Sequence, residues 1–320
     1  MQLIDLHCDT IYELNQRGRN ETLAENSLAI DLKRMEQANI MLQIFACFIN
    51  RKEWKTWEEG YKEALRLLDR LEQETMHNQD RIRIARNKKE IEENQKAGCI
   101  SAVASLEEGG ILDGKTERLD ALEEKGIRLI TLTWNYENCI GYPNSCDQTI
   151  MEAGLKPFGK QVIQEMNKKG MIIDVSHLSD GGFWDCIRLS EEPVIASHSN
   201  CRALCSHPRN LTDAMLYALG EKGGVAGLNF YPNFVRPQGK QATREALCEH
   251  VLHMIEKGGE ELPAIGSDFD GFEIEEPRSK TYIYHVGEME LLWESMKRCG
   301  ITERQLDKIW YKNAMRVLIK

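Results

Sequence analysis

No stretch of this 320-residue chain approaches the roughly 18 consecutive apolar residues that a membrane-spanning helix needs. The opening Met1-Gln2-Leu3-Ile4-Asp5 has no basic segment and no apolar segment of signal-peptide length. Lysine and arginine gather into no patch, and a net charge of −10 argues against a nucleic-acid partner, which clustered cations would have to hold. The ten cysteines include no Cys-x-x-Cys pair, so a zinc ribbon or a redox motif is unsupported. Several of them (Cys47, Cys99, Cys139, Cys186) sit inside apolar runs, and the expectation is free, mostly buried thiols in a cytoplasmic protein. No Gly-x-Gly-x-x-Gly follows the first apolar run, which removes the main support for a nucleotide-binding open sheet. A Pro/Ser-rich linker and low-complexity sequence are missing too, so the expectation is one domain over residues 1–320.

Apolar residues make up 42% of the chain and charged residues 29%, enough for a large core under a solvated surface. Eight short apolar runs recur: 3–6, 40–48, 99–106, 127–133, 171–175, 193–196, 224–230 and 262–265. Each is of strand length. Helical patterns separate them, clearest over 54–79, where Trp57, Tyr61, Ala64, Leu67, Leu68 and Leu71 recur every three or four residues. Shorter patterns cover 89–97, 118–125, 158–169, 179–190, 212–221, 243–257 and 287–298. Ser179 and Thr212 are suited to N-caps, and Gly126, Gly170 and Gly223 to the position just past a helix end. Eight strand–helix alternations with near-continuous apolar strands predict a closed parallel (β/α)8 barrel. A last helix over 302–318 is expected to pack on it, and 274–285 reads as a long loop.

Such a barrel builds its site at the C-terminal ends of its strands, so the polar residues that close each apolar run matter most. The first run ends in His7-Cys8-Asp9, and period-two alternation points His7 and Asp9 one way and Cys8 the other. The third ends in Glu107-Glu108-Gly109-Gly110, the fifth in Ser176-His177, the sixth in Ser197-His198-Ser199 and the eighth in Asp268-Phe269-Asp270-Gly271. Imidazole and carboxylate together suit Zn²⁺ or a related divalent ion, and one carboxylate can bridge two ions with a hydroxide between them. On this reading His7 and Asp9 hold one ion and His177 and His198 the other. Glu108 bridges, freed by the glycines that follow it, and Asp268 is left as the general base. His250 and His253, three apart on a predicted helix, are a weaker metal candidate, and His207 reads as shaping the loop before Arg209.

Asp5-Leu6-His7-Cys8-Asp9, Glu108-Gly109-Gly110, Ile173-Asp174-Val175-Ser176-His177, Ala196-Ser197-His198-Ser199, Arg209-Asn210 and Gly266-Ser267-Asp268-Phe269-Asp270-Gly271 together resemble the membrane (renal-type) dipeptidases, zinc metallopeptidases of the amidohydrolase superfamily. The resemblance runs in order from about residue 3 to Asn313-Ala314-Met315-Arg316-Val317-Leu318. It implies hydrolysis of short peptides with free termini by a hydroxide bridging two Zn²⁺ ions, with His7, Asp9, His177, His198 and the bridging Glu108 as ligands. It further implies that Arg209 grips the substrate carboxylate, that Asp268 holds the ammonium group and carries the proton, and that Tyr231 lines the pocket. Homodimer formation is expected by the same analogy.

One departure stands out. Where the family reads Leu-Thr-His-Asn, with a histidine that polarises the scissile carbonyl, this chain reads Leu132-Thr133-Trp134-Asn135. An indole offers one N–H donor and no titrating group. Asn135, a metal or the indole then takes that role, or turnover is weaker or aimed elsewhere. The alternatives are another hydrolase of the superfamily, acting on a cyclic amide or an N-acyl amino acid, and a metal-bearing binding protein with weak turnover.

Overall fold

The computed structural model describes residues 2–18, 20–238, 240–273 and 279–318. Its strands are β1 (Leu3–Cys8), β2 (Ile40–Phe48), β3 (Ile82–Ile84), β4 (Ile100–Glu107), β5 (Ile127–Thr131), β6 (Ile172–Asp174), β7 (Ile195–Ala196), β8 (Val225–Leu228) and β9 (Pro263–Ile265). All pairings between them are parallel, and β1–β2, β2–β4 and β1–β9 close the ring into a (β/α)8 barrel of eight strands. The ninth strand was not expected. β3 pairs with Ile100, Ser101 and Ala102 of β4, and β5 takes over the same edge from Ala104 onward. Three residues with an exposed arginine at their centre are too short to show as an apolar run.

Helices cover the outside at Trp57–His77, Lys88–Lys96, Thr116–Glu124, Pro157–Lys169, Asp180–Leu189, Asp213–Glu221, Arg244–Gly258 and Met289–Arg298, within a few residues of the periodic patterns. Ser179 and Thr212 accept backbone N–H groups at the starts of two of them (3.1 and 3.3 Å). Gly126, Gly170 and Gly223 take positive φ at helix ends. Helices at Thr10–Arg17 and Leu32–Gln37, both largely polar, escaped the periodicity. The expected last helix is interrupted: Glu303–Asp307 passes through a π-helical turn, Lys308–Lys312, into Asn313–Leu318. Asn313 pins that turn to the carbonyls of Glu260 and Pro263, and Ala314 and Val317 plug the bottom of the barrel against Ile4, Leu6, Leu42 and Val225. Residues 274–278 of the expected long loop lie outside the described residues. No helix among the described residues is long and apolar enough to cross a membrane. The ten cysteines are free thiols, most of them buried.

Two local irregularities set the geometry of the barrel mouth. Between Asp5 and Cys8, β1 advances three residues while β2 advances two, from Gln43 to Phe45. That one-residue bulge shifts the phase, so Ile4 and Leu6 fill the barrel floor while His7 and Asp9 face the mouth. Opposite, a Cβ on Gly227 or Gly266 would fall 1.8 or 1.7 Å from the Ser197 carbonyl oxygen. Only glycine lets β8 and β9 come this close to the end of β7.

His250 and His253 are engaged separately rather than converging. The buried His250 donates from Nε2 to the Val235 carbonyl (2.9 Å) and accepts the Cys201 N–H at Nδ1 (3.1 Å), while His253 meets Asp213 at the surface (2.7 Å). Burial pushes His250 down to about 4 from an ordinary value of 6.5. As pH falls from 6.5 towards 4, the unfolded chain therefore binds a proton that the folded chain refuses, and stability is lost over that window. The loss reaches about 3 kcal/mol for this one group. His250→Gln keeps a donor near Val235 and removes the titration. Its stability, measured by urea unfolding between pH 7 and 4.5, is expected to fall less steeply with pH than that of the parent.

Candidate functional site

Glu107, the last residue of β4, lies at the centre of the mouth. Its Oε2 is 3.2 Å from Nε2 of His7, and its Oε1 is 3.1 Å from Nε2 of His177 and 3.5 Å from Nε2 of His198. On the β1 side, Nε2 of His7 also lies 3.4 Å from Asp9 Oδ2 and 3.8 Å from Asp268 Oδ1. One carboxylate thus spans two groups of ligand atoms, His7 with Asp9 and His177 with His198. The role expected of Glu108 falls to its neighbour in this geometry, because the Glu108 carboxylate points out of the cluster. It accepts the N–H of Trp134 (3.0 Å), the N–H of Gly110 (2.7 Å) and the side-chain amide of Asn138. Strand parity accounts for this. Val103 faces the inner core while Ala102, Ala104 and Leu106 face the helices, so Glu107 points in and Glu108 does not. The glycine pair serves the loop: a Cβ on Gly109 would meet the Leu132 carbonyl at 2.9 Å, and one on Gly110 would meet Asn138 Cβ at 2.8 Å.

The two histidines opposite β1 are held in one tautomer each. Nδ1 of His177 meets Asn135 Oδ1 (3.1 Å), an acceptor, so the proton is on Nδ1 and Nε2 carries a lone pair. Nδ1 of His198 meets Ser197 Oγ (2.7 Å), whose own proton goes to Asp174 Oδ2, so Nε2 of His198 is also a lone pair. Those two Nε2 atoms face each other at 3.0 Å. Two lone pairs at that distance repel unless a cation lies between them and Glu107. On the β1 side both ring nitrogens of His7 and Asp9 Oδ1, and on the opposite side Glu107 Oε1, are buried without a hydrogen-bond partner among the described residues. Unpaired buried polar atoms are costly, and divalent cations among Nε2 of His7, Asp9 and Glu107 satisfy the ones that converge there. The residues present therefore fit bound metal ions, and His7–Glu107–His198 and His7–Asp9–Asp268 each bring three ligand atoms within reach of one ion.

Electrostatics favour the ligand forms on the histidine side. Burial, reinforced by the Arg209 guanidinium, pushes His177 down to about 4, and burial with His7 and Arg209 holds His198 well below its usual range. Burial alone would raise Glu107, but the imidazoles of His7 and His177 outweigh it and hold the carboxyl well below the carboxylate range. Burial raises Asp9 to about 7 against the pull of His7, and raises Asp268 to about 6. Asp268 adopts φ +61° at its strand end and takes the amide of Asn229 on Oδ2 (2.9 Å).

The other expected residues sit around this cluster. A cavity of about 1000 Å³ opens over it, lined by Trp134, Asn135, Tyr231, Asp9, His177 and Asp268 among others. Arg209 lies beneath that surface, donating to Ser199 Oγ and the His198 carbonyl (both 3.1 Å), with its Nε–H unpartnered among the described residues. His207 accepts the Arg209 N–H (3.2 Å) and shapes that loop. Asp5 and Asp174 stand in the motifs but without a role assigned to them, and the supporting residues Asn138 and Asn229 carry no local signal. Asp174 alone takes Thr131 Oγ1 (2.6 Å), the Ser176 N–H (3.0 Å) and the Ser197 N–H (2.8 Å), contacts across three strand ends that only the closed barrel creates.

Comparison with known proteins adds three findings. The sequence model of the membrane dipeptidases (peptidase family M19) matches residues 1–320. A protein of unknown role from the pqqA 5′ region of Klebsiella pneumoniae is 34% identical over 78% of this chain and 92% of its own length, and an uncharacterized dipeptidase of Schizosaccharomyces pombe is 30% identical over 99% and 79%. Among solved structures, a metallopeptidase from Rhodobacter sphaeroides liganded with a phosphinate mimic of the dipeptide L-Ala-D-Ala superposes with a TM-score of 0.90, at 24% identity over 99% of this chain and 98% of that one.

Proposed function

We propose, for a chain that belongs to the membrane dipeptidase family and is therefore a metallopeptidase of dipeptidase type, that it hydrolyses dipeptides whose two termini are free, using two divalent ions, zinc in the first instance. The observation that carries this reading is the split of the Glu107 carboxylate between two ligand groups, 3.2 Å from His7 on one side and 3.1 Å from His177 on the other. His7 and Asp9 would hold one ion, His177 and His198 the second, and Glu107 both. Bound there, the ions would supply the positive charge that brings the pKa of water near neutrality and polarises a carbonyl.

The protein's own groups then divide the remaining work. Asn135 and the Asp174–Ser197 pair keep the two histidines in the tautomers that present Nε2. Asp268 is raised by burial and fixed by Asn229, beside the cluster yet outside the split carboxylate. It accepts the proton of the attacking water, delivers it to the leaving amine, and attracts the substrate ammonium. Arg209 keeps a full charge and a spare Nε–H, which suits it to the substrate carboxylate. Tyr231 is held over the pocket by its N–H to Asn229 Oδ1 (2.6 Å) and packs on Phe272.

N-acetylation of the substrate tests the proposal. Loss of the ammonium contact at Asp268 is expected to lower kcat/KM at least tenfold, about the value of a charged hydrogen bond. Equal rates on Ala-Ala and N-acetyl-Ala-Ala would instead favour an N-acyl amino acid hydrolase.

A further inference from the structure

Building on the dipeptidase reading, we propose that Trp134 and Phe48 form the wall of a side-chain subsite, and that the enzyme prefers dipeptides carrying a large apolar or aromatic residue. Trp134 is half-buried at the edge of the cavity, its ring centroid 6.4 Å from that of His177. That distance puts the indole within side-chain reach of a substrate whose carbonyl lies at the cluster. The ring does not stand alone. Phe48 meets it edge-on at 4.8 Å and 68°, Tyr12 meets Phe48 edge-on at 5.0 Å, and Tyr136 follows at 5.7 Å from the indole. Tyr12, Phe48 and Trp134 all line the cavity, and a further ring or a branched aliphatic chain can extend their edge-to-face pattern.

The wall is fixed before substrate arrives. Glu108 holds the Trp134 N–H at 3.0 Å, and Asn138 ties Glu108 to the Leu132 carbonyl (2.9 Å) while taking the N–H groups of Ile140 and Gly141 (2.7 and 3.1 Å). Glu108 does this at φ +112°, a conformation that costs any residue other than glycine. Such a backbone, locked by a buried carboxylate, makes a rigid loop, and rigid aromatic surface binds with little ordering cost. The polar ends of the wall are already engaged. Tyr12 donates to Glu53 (2.6 Å) and the Lys52 ammonium lies over the Tyr136 ring (5.9 Å). An acidic side chain would face Asp9 and Asp268 across the cavity. A volume of about 1000 Å³ leaves room for a bulky side chain beyond the two backbone units.

Rates on Ala-Ala, Phe-Ala and Ala-Phe, measured with zinc-loaded parent, Trp134→Ala and Trp134→Phe, decide the matter. In the parent, one of the two Phe dipeptides is expected to exceed Ala-Ala in kcat/KM by roughly tenfold to a hundredfold, the discrimination typical of an apolar pocket. Trp134→Ala should bring that ratio within about threefold of one, and Trp134→Phe should keep most of it. Phe48→Ala keeps the backbone pairing of residue 48 with Glu107 and removes only a ring that packs on Tyr12 and Trp134; it is expected to reduce the same ratio and replaces Trp134→Ala if the latter fails to fold. A parent that cleaves Ala-Ala with no gain for either Phe dipeptide overturns the subsite alone, as does a ratio untouched by both alanine variants. A parent that cleaves none of the three overturns the substrate reading as well.

Discussion

Glu107→Gln is expected to lower kcat/KM on a dipeptide by about three orders of magnitude or more and to cost the chain at least one of the two metal ions proposed for it, whereas Glu108→Gln should retain both and lose less than about tenfold. Initial rates and elemental analysis of the two purified variants check this. The contrast follows from where the oxygens lie. Glu107 offers Oε2 to the His7 side and Oε1 to the His177 and His198 side. An amide keeps one oxygen for one side and turns an NH2 group toward the other, so it cannot serve two cations and removes the charge that balances them. Removing a group that merely supports a metal ligand typically costs ten- to a hundredfold, on the order of 10–100, and removing the shared ligand has to cost more. Glu108 has its three hydrogen bonds to Trp134, Gly110 and Asn138, and a glutamine can preserve part of that set. Should Glu108→Gln prove the more damaging for metal content, the assignment of the bridging position would be wrong.

That two adjacent glutamates have such different surroundings shows where sequence reading stopped. The barrel was legible because each of its eight strands is a short apolar run and most are followed by an amphipathic helix, a local signal repeated along the chain. His7, Asp9, His177, His198 and Asp268 were legible as a set because each closes such a run, and the barrel brings strand ends together whatever the loops do. Gly109-Gly110 mark Glu108 as the carboxylate with backbone freedom, and no local feature marks Glu107 in its place. Parity along β4 singles out Glu107 only once Val103 is seen to face the inner core, because the run is apolar on both faces. Other features had no local signal. The bulge that turns His7 into the mouth depends on pairing with β2, and the tautomer of His198 depends on Asp174, 24 positions earlier in the chain, reached through Ser197. Trp134 was recognised as a departure, but its partner Phe48 comes from a different strand end.

Metal removal should be visible in stability as well as in rate. With the ions gone, the described cluster keeps two imidazole lone pairs facing each other at 3.0 Å and leaves His7, Asp9 Oδ1 and Glu107 Oε1 buried without hydrogen-bond partners. Each of these features opposes folding, and a cation that binds only the folded chain reverses the balance by mass action. At a free-ion concentration a thousand times Kd, each site contributes about 4 kcal/mol, so two sites contribute roughly 8 kcal/mol. For a chain of this length that corresponds to a Tm shift of roughly 10 °C or more. Thermal unfolding of the protein before chelation, after chelation and after return of zinc is expected to trace that shift in both directions. His177→Ala, which strips one ligand from one side only, should retain part of it, because His7 and Asp9 keep their ion with Glu107. A Tm that stays within about 2 °C after elemental analysis shows both ions removed would mean that the cluster is stable without them. The facing lone pairs would then have to be relieved by a tautomer switch, with one of the two histidines donating from Nε2 and giving up the bond its Nδ1–H makes to Asn135 or Ser197.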